Sequence, residues 1–134
     1  MGRPANRDFG SRQRVRVINR DYEHYPMAAE TQGPRHVQVT GAGETEVVVD
    51  PDVGSYLVIT SLWLSNAAST ELRVLVRDGT GGTVGFGGTL AADGGGVAMR
   101  FTPPWQLSEG SALIVDTGGE GSANVDVNVN FFVE

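Results

Sequence analysis

From Ala123 to Val133 the chain alternates: Val125, Val127, Val129, Phe131 and Val133 hold one parity, and Asn124, Asp126, Asn128 and Asn130 hold the other, with Phe132 the one apolar residue on the polar side. A side-chain period of two belongs to an extended strand with one face on a core and the other in water. Such a strand is not stable alone, so the rest of the chain must supply partners of the same kind. Leu72, Val74 and Val76, alternating with Glu71, Arg73 and Arg77, repeat the pattern. Valine makes up 18 of the 34 Val, Leu, Ile and Phe residues. It loses χ1 freedom in a helix and suits a pleated sheet, so the composition agrees with an all-β fold.

Turn signals recur about every ten residues from His36 onward, as in a sandwich or barrel. They predict eight strands, over 36–40, 45–50, 56–65, 71–77, 83–90, 96–101, 112–116 and 123–133. Gly41-Ala42-Gly43, Asp78-Gly79 and Asp93-Gly94 sit where tight connections need positive φ. Pro103-Pro104 has no N–H to give a ladder and belongs at a sheet edge or between sheets. Helix is nearly absent. Two four-stranded antiparallel sheets packed face to face are the simplest architecture.

Charge divides the chain near residue 36. Residues 1–36 hold seven Arg against four carboxylates, a net of +3, and the remainder holds three Arg against twelve carboxylates, a net of −9. We therefore expect an extended basic N-terminal arm over 1–35 and a sandwich domain over 36–134. Within the arm, Arg12, Arg14 and Arg16 alternate with Val15 and Val17, followed by Ile18, which suits a strand added to a foreign sheet edge. A chain carrying −6 overall is a poor general partner for nucleic acid. Its longest apolar runs, such as Tyr56 to Ile59, fall far short of a membrane helix, so no membrane partner is expected.

Catalytic signatures are weak. His24 and His36 lie in or beside the arm, away from any expected pocket. Asp50-Pro51-Asp52 lacks the further oxygens of a calcium loop, and GTGGTVGFGG over 79–88 has no Lys and no following helix with which to cradle phosphate. The chain has no Cys. The reading is a protein that is not an enzyme and uses neither metal nor cofactor. Trp63 shares parity with Leu57 and Ile59 and is expected on the buried face; Trp105 either plugs one end of the sandwich or projects to a neighbour. Residues 57–64 are apolar on both parities, which implies a loop cover or another subunit. Leu75, Trp105 and Phe132 are the expected oligomer contacts.

The stretches VTGAGETEVVV, YLVITSLWLSNAAST, LRVLVRDGTGGTVGFGGTLAADGGGVAMRF and PPWQLSEGSALIVDT, with the alternating closing strand, together resemble a pattern in small structural proteins of tailed bacteriophages. The resemblance covers about 95 residues, from Val39 to Val133, and leaves the arm outside. It implies an eight-stranded jelly-roll sandwich serving on the virion, often as a trimeric decoration or cement protein on the head. Combined with the charge division, it leads us to expect a homo-oligomer, a trimer above all, on the capsid surface. Its partner would be the major capsid protein, gripped by Arg3, Arg7, Arg12, Arg14, Val15, Arg16, Val17, Ile18 and Arg20. The alternative is a tail or head fibre module that binds a host receptor or glycan, with Trp105, Tyr56 or Asn66 facing solvent.

Overall fold

The computed structural model describes residues 32–134. Eight strands follow in order: β1 Arg35–Thr40, β2 Glu44–Val48, β3 Leu57–Asn66, β4 Leu72–Asp78, β5 Thr83–Leu90, β6 Gly96–Gln106, β7 Leu113–Asp116 and β8 Asn124–Val133. They form two antiparallel four-stranded sheets, ordered β1-β8-β3-β6 (sheet A) and β2-β7-β4-β5 (sheet B). Apart from the β4–β5 hairpin within sheet B, the chain alternates between the sheets so that β8 returns beside β1, the strand order of a jelly roll. Gly41 and Gly43, at φ +83° and +97°, turn the corner from β1 in sheet A to β2 in sheet B. That backbone is costly for a residue with Cβ.

The alternation in the sequence becomes a two-layer core. Val125, Val127, Val129 and Phe131 of β8 face Val74, Val76, Leu113 and Val115 of sheet B within one cluster, all at 4% exposure or less. Among the described residues, that cluster and the side chains packed on it come from residues 37–133. Residues on the expected arm side of 35/36 already join the sheet: Gln32 bridges Phe132, and the Gly33 N–H donates to the Phe131 carbonyl at 2.9 Å.

Two strands differ from their expected form. β6 runs on through Pro103-Pro104 to Gln106 rather than ending at Phe101. Its four residues 101–104 stand between the pairs Arg100↔Ser61 and Trp105↔Ile59. They loop away from the ladder, and β6 is an edge strand, which is where proline is tolerated. The second difference is in β3. Ile59 pairs Phe131 and Ser61 pairs Asn130, so two steps along β3 match one along β8 and Thr60 is the extra residue of a bulge. Parity inverts there. Leu57 and Ile59 face the core before the bulge, and Leu62 and Leu64 face it after. Trp63, expected on the buried face, is therefore turned outward and is 54% exposed.

Candidate functional site

The outer face of sheet A carries the most distinctive surface. Trp63 lies opposite Asn128 of β8 and Ala98 of β6, and the neighbouring row is Asn130, Ser61 and Arg100. Together these side chains line a shallow groove of about 360 Å³. The bulge at Thr60 aims Trp63 into it. The bulge is itself held by the Thr60 hydroxyl, which donates to the Asn130 carbonyl at 3.1 Å.

Most polar groups on this face bond to one another across the strands. Gln38 Nε2 donates to Asn124 Oδ1 at 2.9 Å, Asn130 Nδ2 donates to Ser61 Oγ at 2.9 Å, and His36 Nε2 lies 3.1 Å from Asp126 Oδ1. The side chains of Asn128 and Arg100 form no hydrogen bond or ion pair with another described residue. The two uncommitted polar groups of the groove thus flank its one aromatic ring.

A second groove, of about 400 Å³, lies on sheet B and includes Leu75, Arg73, Glu71, Asp116 and Glu120. Hydrogen bonds from the Ser122 hydroxyl and backbone N–H hold the Glu120 carboxyl below its ordinary pKa. Next to this groove, Arg77 Nε lies 3.1 Å from Asp116 Oδ2 and 3.4 Å from Glu44 Oε2, while its Nη1 donates to the Gly82 carbonyl. The arginine fastens β4 to β7, β2 and the β4–β5 turn, which is a structural task. No group of three or more His, Asp or Glu side chains poised to hold a metal occurs among the described residues.

The residues expected to make contacts between subunits occupy three different settings. Leu75 is half-buried on sheet B, where its Cδ2 covers the bare backbone of Gly87. Phe132 is 39% exposed on the outer face of sheet A. Trp105 packs on the core edge, 5.7 Å from the Phe101 ring by centroids, with its indole directly over Gly85 of β5. Trp105 thereby covers the side of the sandwich where β6 and β5 run as edges.

Asn66, offered from sequence as a solvent-facing residue of a receptor site, is 0% exposed. Its amide donates to the carbonyls of Thr70, Leu90 and Ala91, and its oxygen accepts from the Ala68 N–H. The arm residues Arg3, Arg7, Arg12, Arg14, Val15, Arg16, Val17, Ile18 and Arg20 lie outside the described residues. The Trp63 surface escaped the sequence reading because strict alternation put the ring inside. The available signal was the apolar character of 57–64 on both parities, of which a bulge accounts for Leu57, Ile59, Leu62 and Leu64, while Val58 is buried outside the core cluster. Comparison with protein-family models, curated proteins and solved structures finds no match to this chain.

Proposed function

We propose that this chain is a virion structural protein of the head-decoration type, an acidic jelly-roll body held on the capsid lattice by its basic N-terminal segment. The observation that supports the reading is a two-sheet body whose described core lies within residues 37–133, with Gln32 and Gly33, next to the basic segment in sequence, bonded to β8 of sheet A. Leader and body can then act separately. Guanidinium forks on Arg3, Arg7, Arg12, Arg14, Arg16 and Arg20 would pair with carboxylates of the major capsid protein, while Val15, Val17 and Ile18 add a short strand or fill a groove. Such contacts are individually weak. Three copies in a trimer matched to the lattice spacing would hold far longer than one, through effective concentration. A ligand that binds only the assembled shell stabilises it by linkage. The resemblance to small phage structural proteins agrees with this assignment.

The test is co-sedimentation with purified heads. Deletion of residues 1–31 spares Gln32 and Gly33, which pair with β8, and is expected to leave a folded body that stays in the supernatant while the full chain pellets. Equal pelleting of both proteins would remove the proposed mechanism.

A further inference from the structure

We propose that the outer face of sheet A binds an acidic oligosaccharide, with one pyranose ring stacked on Trp63, its hydroxyls on Asn128 and its carboxylate on Arg100. The indole offers a flat apolar surface that is 54% exposed. Ala98, directly opposite on β6, is too short to cover it. Side chains opposite one another across antiparallel strands stand about 4.5–5.5 Å apart. Asn128 is therefore placed to reach the rim of a ring lying on Trp63, and Arg100 belongs to the adjacent row. Both polar groups are uncommitted, whereas Gln38, Asn124, Asn130, Ser61, His36 and Asp126 are engaged with one another. A sugar has an apolar C–H face and a hydroxyl edge, the two chemistries this groove sets side by side.

Arg100 narrows the class. Three Arg stand against twelve carboxylates after residue 36, and this one has no anionic partner among the described residues. A guanidinium pairs with a carboxylate through two parallel hydrogen bonds, so a uronic or sialic acid fits better than a neutral hexose. A second protein fits less well, because the apolar area is one ring bounded by amides, a hydroxyl and a guanidinium. The row Asn130–Ser61–Arg100 separates Trp63 from Phe132, the other exposed aromatic on this face. Stable protein interfaces instead centre on a contiguous apolar patch.

This inference does not depend on where the protein sits on a particle. Head binding through the leader and sugar binding through sheet A can fail separately, and each has its own variant. The full chain is applied to an array of defined uronic-acid, sialic-acid and neutral oligosaccharides, followed by calorimetric titration with the best ligand. Retention of acidic glycans is expected, with a loss of at least about tenfold in affinity, about 1.4 kcal/mol, for both Trp63→Ala and Arg100→Ala. Trp105→Phe should bind as the parent does, and melting curves of the Trp63 and Arg100 variants should overlay the parent, since both side chains are exposed. Absence of glycan retention, equal retention of neutral and acidic glycans, or unchanged binding by Trp63→Ala would each overturn the proposal. So would native mass spectra in which Trp63→Ala breaks an oligomer while no glycan binds, because the face would then be a contact between copies.

Discussion

Asn66 closes the last turn of β3, and its side chain reaches the β5 end at Leu90 in the other sheet. One amide satisfies the Thr70, Leu90 and Ala91 carbonyls and the Ala68 N–H, so the sheets are tied at a point where no apolar contact could replace the bonds. Asn66→Ala leaves several backbone groups unsatisfied in a dry setting and is expected to cost about 2–4 kcal/mol in urea unfolding at unchanged m-value. Asn66→Asp should cost more, because a carboxylate would face three carbonyls. From sequence Asn66 looked like a loop residue, since Asn-Ala-Ala-Ser-Thr reads as turn chemistry. The turn is there, but four partners contributed by two segments, 68–70 and 90–91, made the residue part of the interior. Local pattern carries no record of such distant partners.

At the scale of strands, turn spacing and alternation located every strand except β6 to within two residues at either end. Alternation failed for orientation where a bulge intervenes. In β3 the extra residue Thr60 exchanges the faces, so Leu62 and Leu64 point inward and Trp63 outward. Deleting Thr60 removes only the extra residue, so Ser61 follows Ile59 in strict alternation, Leu62 and Leu64 still point inward and Trp63 still points outward. The deletion variant is therefore expected to keep a cooperative thermal transition followed by far-UV circular dichroism. Loss of that transition would mean that the strand needs the bulge itself to hold its register. A related compensation explains the glycines of β5. Gly85 is the extra residue opposite the step from Val76 to Arg77, and Trp105, Leu75 and Phe86 lie over Gly85, Gly87 and Gly88. Neighbouring side chains fill the space their own would have taken, so a glycine-rich segment serves as an edge strand.

For the whole molecule, the two-sheet architecture was readable because strand count, turn spacing and one-sided faces all agreed. The jelly-roll order came from resemblance, since alternation alone does not say which strands are neighbours. The Trp63 surface was hidden for the reason given above, and the arm lies outside the described residues. Autonomy of the body has a direct measure. A chain beginning at Gln32 should melt cooperatively near the parental temperature, because the core cluster is intact. A chain beginning at Gly41 lacks β1, uncovers Val125, Val127 and Val129 of β8, and should aggregate on heating in light scattering.

The two margins of sheet A are unlike. On β6 the looped segment 101–104 carries adjacent prolines without amide hydrogens, while β1 pairs, among the described residues, with β8 alone. Templated growth of a ribbon needs a receptive border on both sides of every unit, and here one border is blunted. Two molecules that join through their β1 sides would use up both receptive borders, so the association would close as a couple rather than grow as a ribbon.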